Sequence, residues 1–253
     1  MLAAERHRRI VAEVARLEFV TTDDLTTLLS VSHETVRRDL ARLEQRGQLT
    51  RVHGGATAVH TSVGEEAPFT ERQDVFLTEK RAIGRAAAAL IQPHQTVVID
   101  VGTTALEVAR ALPADHVGVV ATPSLLVAGE VSTRPQVEVL VSGGRLRAGD
   151  LVCSNAQAVE FFGNLRADAV FLGSGGVAPY GLTDFHLDET ATKRAMLANS
   201  SHRYVLADSS KFGRTAAHRV CTLDGFDTLI TDRACPRELG DVLDEHGVDV
   251  VVA

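Results

Sequence analysis

The chain has 253 residues and a formal net charge of −7, with 45% hydrophobic and 23% charged residues. This composition is ordinary for a soluble globular protein with enough core for one small and one medium domain. No apolar run approaches the roughly 20 residues of a membrane span, and the N-terminus lacks an apolar signal core. We therefore expect a cytoplasmic protein with no membrane partner.

The charge is unevenly distributed along the chain. Residues 1–57 hold nine basic and eight acidic side chains, whereas residues 58–253 hold 17 basic and 25 acidic ones. A nearly neutral head on an acidic body orients the head towards a negatively charged partner. Cys153, Cys221 and Cys235 lack metal-ligand spacing, so we interpret them as reduced, buried thiols and expect neither a metal nor a cofactor.

The N-terminal residues predict two successive helices. The first has an apolar face formed by Ile10, Val14 and Leu17. Thr21 can cap the second, with Asp24 three residues later at the spacing of a capping box. The buried stripe of this second helix is predicted to consist of Leu25, Leu28 and Leu29.

A third helix is predicted to follow a tight turn at residues 30–32. Ser32 can cap it, and Val31 can pack between the two helices. Its inward face is predicted to consist of Val36, Leu40 and Leu43. Its exposed N-terminal end then carries Ser32, His33, Thr35, Arg37 and Arg38. Helix-turn-helix proteins place this end in the major groove of DNA, where arginines and hydroxyls contact base edges and phosphates.

A hairpin is predicted after this helix, which ends at Gly47. Residues 49–53 form one strand, Gly54 and Gly55 the turn, and residues 56–59 the return strand. Such a hairpin is a wing that can contact phosphate or the minor groove. We assign the DNA contacts to Thr22, Ser32, His33, Thr35, Arg37, Arg38, Arg51, His53 and Gly54. The alternative is that these arginines form only a solvated helix face.

Residues 58–70 are predicted to be a linker, and residues 71–253 a second domain that begins with a helix from Glu71 to Ile91. Strands are then predicted at residues 96–101, 117–121, 137–141, 169–172, 204–207, 228–231 and 248–252. Helices are predicted near residues 103–112, 123–130, 188–199 and 236–246. This alternation predicts the α/β class: an N-terminal winged helix-turn-helix domain over residues 1–57, followed by a mostly parallel α/β domain.

Three predicted strand ends are rich in glycine and hydroxyl groups, and in such sheets ligands bind beyond the carboxyl ends of strands. Glycine turns with backbone N–H donors suit a phosphate or another anion. The predicted ligand-binding residues are Asp100, Gly102, Thr103, Thr104, Gly143, Gly144, Arg145, Gly173, Ser174, Lys193, Asp208 and Lys211. Each Gly-Gly pair has the alternative of an ordinary turn, and Lys193, beside Arg194, that of a solvated helix face.

One long motif lies in the first predicted domain, VSHETVRRDLARLEQRGQLTRVHGGA. The second contains, in order, KRAIGRAAAALI, DVGTT, VSGG, DAVFLGSGGV, GLTD, TKRAM, LADSSKFG and LITD. These motifs resemble the DNA-binding pattern and the sensor domain of the DeoR family of bacterial transcriptional regulators. Two departures are Asn155, where the family usually has glycine, and Thr122-Pro123, which replaces Thr-Asn.

The resemblance implies a sensor domain similar to ribose-5-phosphate isomerase and a repressor of carbohydrate metabolism genes. A phosphorylated sugar or polyol would release it from double-stranded operator DNA. The implied pocket consists of Gly102, Thr103, Thr104, Gly143, Gly144, Asp208 and Lys211. We also expect a homodimer or homotetramer, because two heads can then bind two half-sites.

Two other functions are open to this sequence. A sugar-phosphate isomerase would need a carboxylate base beside the substrate, but the loop from Gly173 to Gly176 contains none. Asp184, Asp188 and Glu189 lie farther along, as surface groups or ligand contacts. The second alternative is a structural DNA-binding protein whose second domain binds no ligand. It is disfavoured because the polar strand ends would then have no function. The sequence favours a regulator that is not an enzyme.

Overall fold

The computed structural model of the chain describes residues 2–17, 19–45, 48–52, 54–57 and 66–253. The chain forms two compact units, Met1–Ser62 and Val63–Ala253. The predicted domain limits at residues 57 and 71 fall near this division. The linker between them remains a prediction, because residues 58–65 lie outside the described part of the chain.

The N-terminal unit combines three helices with a small sheet. Its elements are α1 (Ala3–Leu17), β1 (Phe19–Thr21), α2 (Thr22–Leu29), α3 (His33–Gln45), β2 (Thr50–Val52) and β3 (Gly55–Thr57). β3 pairs with β1 and β2, both antiparallel. The apolar core consists of Ile10, Val14, Val20, Leu25, Leu29, Val36, Leu40, Leu43, Leu49 and Ala56. The predicted helix-turn-helix with a hairpin wing is confirmed.

Two predicted core positions in this unit are wrong. Leu17 is 46% exposed at the end of α1, where the helix no longer covers the core. Leu28 is 38% exposed, because the short α2 turns only Leu25 and Leu29, four residues apart, towards the core.

The hairpin also differs in detail from the prediction. Gly55 belongs to β3 rather than to the turn, and β1 approaches it so closely that a Cβ atom there would lie 2.2 Å from the carbonyl oxygen of Val20. β1 was not predicted, because three residues carry too little pattern. Gly47, His53 and Val59 lie outside the described residues.

The C-terminal unit is built on a parallel sheet. Its first elements are α4 (Phe69–Arg72), α5 (Leu77–Ala88), β4 (Thr96–Ile99), α6 (Thr103–Ala111), β5 (Gly118–Thr122), α7 (Leu125–Val131), β6 (Val137–Val141), α8 (Ala156–Gly163) and β7 (Ala167–Gly173). They are followed by β8 (Gly176–Ala178), β9 (Gly181–Asp184), α9 (Leu187–Ala198), β10 (Ser200–Leu206), β11 (His218–Cys221), β12 (Thr228–Thr231), α10 (Arg237–Glu245) and β13 (Asp249–Val252).

The seven strands of the main sheet lie in the order β13-β12-β10-β7-β4-β5-β6, and every neighbouring pair is parallel. Helices cover both faces, so the strands are apolar on both sides: Val98 packs in one core cluster, and Val97 and Ile99 pack in the other. The predicted mostly parallel α/β fold is confirmed. The structure adds helix α8 and a separate antiparallel sheet of β8, β9 and β11, whose short strands gave no clear pattern.

The single helix predicted from Glu71 to Ile91 is wrong. The structure has α4 and α5 instead, separated by residues 73–76. The break occurs at Phe76, whose φ of +55° is left-handed and cannot continue a right-handed helix. Because α4 begins at Phe69, the last two residues of the predicted linker are helical.

Candidate functional site

Side-chain hydrogen bonds cap the N-terminal ends of α2 and α3, the two helices that flank the turn. The Thr21 hydroxyl accepts from the Asp24 N–H at 3.0 Å, and the Asp24 carboxylate accepts from the Thr21 N–H at 3.3 Å, which completes the predicted capping box. Ser30 adopts a left-handed φ of +52° that ends α2. The Ser32 hydroxyl accepts from the Thr35 N–H at 3.3 Å and caps α3 as predicted.

The N-terminal end of α3 presents polar side chains to solvent. Ser32, His33, Arg37 and Arg38 are exposed, and Thr35 is half-buried. The Arg38 Nε atom lies 3.0 Å from Glu34 Oε1, an exposed pair that solvent screens. Within the described part of the chain, Arg37 has no ion-pair or hydrogen-bond partner for its guanidinium. Of the two arginines at this end of α3, Arg37 is therefore the more readily available to a phosphate or a base.

The wing is attached to the start of α2 and the end of α3. The N–H and hydroxyl of Thr22 donate to the Gly54 carbonyl at 2.8 and 3.2 Å. The Arg51 N–H donates to Glu44 Oε1 at 3.0 Å, and its guanidinium lies 3.8 Å from the same carboxylate. The predicted wing contacts Arg51 and Gly54 are exposed, and His53 lies outside the described residues.

Asp39 has an internal role that the sequence analysis did not identify. It is 2% exposed, and its carboxylate accepts from Arg6 Nη2 at 3.1 Å and lies 2.8 Å from His7 Nε2. Burial acts to raise the pKa of Asp39, but the hydrogen bonds from Arg6 and His7 outweigh it, so the pKa is lowered. This cluster joins α1 to α3. The sequence indicates that Asp39 is buried, because it falls in the helical stripe of Val36 and Leu40.

In the C-terminal unit, a topological switch point lies between β4 and β7. The chain continues from β4 to β5 and β6 on one side and then returns to β7 on the other. In open α/β sheets, ligands bind outside the carboxyl ends of the strands at such a point. The predicted residues Gly102 and Gly173 follow or end these two strands, so the structure brings them together.

Helix α6 begins at the switch point. Gly102 caps it with φ +109° and ψ 169°, a region that is essentially restricted to glycine. The first N–H groups of a helix have no intrahelical partner and attract anions. Thr103 and Thr104 are buried, yet among the described residues neither hydroxyl has a protein partner, and neither is sealed from solvent. These groups remain available to a ligand.

The Lys193 ammonium contacts three oxygen atoms within the protein. Its Nζ donates to the Gly173 carbonyl at 2.8 Å and to Asp184 Oδ2 at 2.5 Å, and it lies 3.0 Å from Asp100 Oδ2. Asp100 in turn accepts from the Gly173 N–H at 2.9 Å. All three charged side chains are buried, so the alternative of Lys193 on a solvated helix face is wrong.

Burial and neighbouring charges shift the pKa values of Asp100, Asp184 and the nearby Glu189. Burial raises the pKa of Asp100. Burial acts in the same direction on Asp184, but the Lys193 ammonium outweighs it, so that pKa is lowered. Burial and the charge of Asp184 raise the pKa of Glu189 to about 8, although Arg147 bonds it. Asp184 and Glu189 are therefore not surface groups, whereas Asp188 is exposed.

The end of β10 extends the same edge of the sheet, next to β7. Ser174 donates its hydroxyl to the Leu206 carbonyl at 2.9 Å and so joins the ends of these strands. The buried Asp208 accepts from the Ser210 N–H at 3.1 Å and caps a short 3₁₀ turn. Lys211 ends that turn and is half-buried. Three adjacent strands thus place predicted ligand residues along one edge.

Beside this turn lies a group of cations that the sequence analysis did not assemble. We call Arg72, Lys80, Lys211 and Arg214 the cation cluster. Lys80 Nζ donates to the Arg72 carbonyl at 2.6 Å and is 4% exposed. Burial lowers the pKa of Lys80 to about 8, with Asp208 opposing this effect and Lys211 adding to it. Burial lowers the pKa of Lys211, with Asp208 opposing this effect and Arg214 adding to it, so these cations lie close enough to act on one another.

The Gly143-Gly144 turn lies apart from these groups. It follows β6, the edge strand beyond β5, on the opposite side of β4 from β7 and β10. Both glycines have positive φ, +70° and +91°, and Arg145 beside them is exposed. The structure therefore brings the first and third predicted strand ends together, but not the second.

Comparison with known proteins identifies both units. Residues 6–62 match the DeoR-like helix-turn-helix domain, and residues 76–233 match the DeoR C terminal sensor domain. The chain is 33% identical over 252 residues to the glycerol-3-phosphate regulon repressor of Escherichia coli (strain K12), covering 99% of each chain. It is 32% identical over 235 residues to the HTH-type transcriptional repressor GlcR of Bacillus subtilis (strain 168), covering 92% of this chain and 90% of that one.

The chain belongs to the DeoR family. The prediction of a DNA-binding transcriptional repressor is thereby confirmed at the level of the family. Among solved structures, it is similar to ribose 5-phosphate isomerase A from Methanocaldococcus jannaschii, with 14% identity, a TM-score of 0.41 and coverage of 54% of this chain and 55% of that one. No helix formed by the described residues combines the length and apolar character needed to cross a membrane.

Of the two departures from the DeoR-family pattern, Asn155 has a side-chain role in the structure. Asn155 caps α8, accepting from the Gln157 N–H at 2.9 Å, and its Nδ2 donates to the Arg145 carbonyl at 3.3 Å. The Pro123 carbonyl accepts from the Cys153 N–H at 2.8 Å, a backbone bond that asparagine at this position would also make. Asn155 therefore holds the Gly143-Gly144 turn against α8, so this departure bears on the shape of that turn.

Proposed function

We propose that this DeoR-family protein represses carbohydrate metabolism genes and leaves its operator when a phosphorylated sugar or polyol binds the C-terminal unit. The glycerol-3-phosphate regulon repressor of Escherichia coli, a full-length relative, supports this class of effector. The observation that carries the proposal is the placement, along the edge formed by the ends of β4, β7 and β10, of the cation cluster and of two threonine hydroxyls, Thr103 and Thr104, that have no protein partner among the described residues.

The phosphate group would occupy the N-terminal end of α6. Backbone N–H groups, hydroxyls and the Lys211 ammonium all form hydrogen bonds to a phosphate, and charge-assisted bonds of this kind are the strongest. Asp100 and Lys193 would act as positioning residues, because their charges are satisfied within the protein and hold Gly173 in place. Gly143, Gly144 and Arg145 would face the end of the ligand that lies away from the phosphate.

The DNA contacts would come from α3 and the wing. The exposed Arg37 and Arg38, with Ser32, His33 and Thr35, would read the major groove, while Thr22, Gly54 and Arg51 would contact the backbone. The role of His53 rests on the sequence alone. An effector releases DNA only if it binds the DNA-incompetent arrangement more tightly than the other.

We also infer that the protein is not an isomerase. A general base must reach the proton that it removes. The loop after β7 contains no carboxylate, and the two carboxylates next to it, Asp100 and Asp184, are buried and bonded to Lys193. An absence of turnover with ribose 5-phosphate in a protein that still binds phosphate esters would support this inference, and measurable turnover would overturn it.

The direct test is calorimetry and operator gel shifts with glycerol 3-phosphate and a panel of sugar phosphates. Thr103→Val and Lys211→Ala should lose ligand binding and the ligand response, while their operator binding without ligand stays unchanged. Thr133→Val and Arg85→Ala remove an exposed hydroxyl and an exposed cation elsewhere in this unit and serve as matched controls. Full-strength ligand binding by both pocket variants would place the site elsewhere.

A further inference from the structure

A carboxylate already lies against the cation cluster. Glu66 Oε1 is 2.9 Å from Arg72 Nη1, and both side chains are largely buried, at 14% and 19% exposed. The Nε of the same guanidinium donates to the Ala67 carbonyl at 2.8 Å. Arg72 therefore clamps both the side chain of Glu66 and the backbone that follows it.

The charge of Glu66 also acts on the rest of the cluster. It raises the pKa of both Lys211 and Arg214 against the burial that lowers them. Asp208 acts on Lys211 and Arg214 in the same direction as Glu66 does. Asp208 caps its own turn, whereas the Glu66 carboxylate is paired with Arg72.

We propose that the Glu66 carboxylate is a built-in competitor for the effector: it occupies part of the anion site on Arg72, Lys211 and Arg214, and an incoming phosphate displaces it. This inference rests on the proposed function and adds Arg72 and Arg214 to the phosphate site. A carboxylate carries one negative charge, whereas a phosphate monoester carries nearly two at neutral pH and offers three acceptor oxygens. The cluster therefore favours phosphate over the resident carboxylate.

Displacement has a consequence for the chain that precedes α4. Glu66 and Ala67 follow directly on residues 58–65, which connect them in sequence to the DNA-binding unit. A phosphate that displaces the carboxylate also competes for the guanidinium that holds the Ala67 carbonyl, so ligand binding releases both residues. If the arrangement in which Arg72 holds Glu66 and Ala67 is the one that binds DNA, removing the carboxylate must strengthen effector binding. It must also weaken operator binding, because coupling between two sites is reciprocal.

The test compares Glu66→Gln with wild type in the full chain. Glutamine keeps the size of the side chain but removes its charge. Calorimetry with glycerol 3-phosphate and with inorganic phosphate should show about tenfold tighter binding by the variant. Gel shifts without ligand should show weaker operator binding. Glu71→Gln removes an exposed carboxylate from the adjacent helix α4 and should match wild type in both measurements.

The outcomes separate this inference from the function on which it rests. If wild type binds a phosphate ester and Glu66→Gln binds it equally or more weakly, with an unchanged circular dichroism spectrum, the competition is overturned while the proposed function stands. Tighter ligand binding with unchanged operator affinity would overturn the link to DNA. If wild type binds none of the phosphate esters, the proposed function fails, and the inference fails with it.

Discussion

Arg37 and Arg38 are neighbours on α3, but they differ in what they contact. Arg38 is paired with Glu34, so DNA must compete with that carboxylate, whereas Arg37 has no such partner among the described residues. Arginine contributes to DNA binding through a base contact or through phosphate neutralisation. The salt dependence of binding distinguishes these two roles.

Replacing either arginine by alanine should weaken operator binding by about 1–3 kcal/mol at moderate salt without unfolding the protein. The measurement is a gel-shift titration at several salt concentrations, using a DNA fragment selected by the wild-type protein. Arg42→Ala, which removes an exposed arginine from the last turn of the same helix, is the control. Wild-type affinity in both variants would remove Arg37 and Arg38 from the interface.

Asp39 follows these arginines in sequence, yet its role is to stabilise the fold. Asp39→Asn removes a buried charge from Arg6 and His7 and should destabilise the protein by about 3 kcal/mol, since breaking one partner of a buried pair leaves the other uncompensated. The folded-state pKa of Asp39 is lowered, so its stabilisation is present above an unfolded-state pKa of about 3.9 and is lost as pH falls through the folded value.

Thermal denaturation between pH 2 and pH 7 measures this effect. Wild type should lose stability at the acid end of that range, and Asp39→Asn should show a smaller loss. Asp23→Asn, at a carboxylate that is 85% exposed, should leave the curve nearly unchanged. Parallel acid profiles for Asp39→Asn and wild type would show that the carboxylate does not stabilise the head.

At the scale of elements, the sequence predicted helices and strands correctly where an apolar helical stripe or an apolar strand run is long. The core of α3 follows from its apolar periodicity. The seven parallel strands follow from short continuous apolar runs, because both faces of the sheet are covered. The break at Phe76 could not be predicted, because it depends on a left-handed residue with no glycine or proline to mark it. The cation cluster was also out of reach, since Arg72 and Arg214 come together only through the fold.

The start of α6 is the element whose geometry most directly controls the proposed site. At Gly102, an added Cβ meets no atom within 4 Å, so a substitution there acts through backbone strain alone. Gly102→Ala should cost about 1–3 kcal/mol of stability and should weaken binding of glycerol 3-phosphate, because the first N–H groups of α6 shift. Denaturant unfolding and calorimetry measure the two effects.

Gly129→Ala is the matched control for this variant. Gly129 also has open space where a Cβ atom would be added, but it lies within α7 without a positive φ. Alanine there should stabilise the protein by roughly 0.5–1 kcal/mol and leave ligand binding unchanged. A Gly102→Ala variant that is as stable as wild type and binds ligand as tightly would show that this turn tolerates an ordinary residue.

For the whole molecule, the sequence and the fold together favour an oligomer. The N-terminal unit is small, and its recognition end offers few cations, so a single head makes limited contact with DNA. Joining two heads raises the effective concentration of the second once the first is bound, and affinity rises without any new contact. We therefore expect a homodimer or homotetramer that binds two half-sites on one face of the duplex.

Light scattering of the full chain at micromolar concentration should report a mass of two or four chains. Operator affinity should also depend on the spacing of the half-sites, which is about 10 base pairs or a multiple of it from centre to centre. Inserting about five base pairs rotates one half-site to the opposite face and should reduce affinity sharply, while inserting about ten should restore much of it. A monomer with and without DNA, and an affinity that ignores spacing, would mean that one head binds alone.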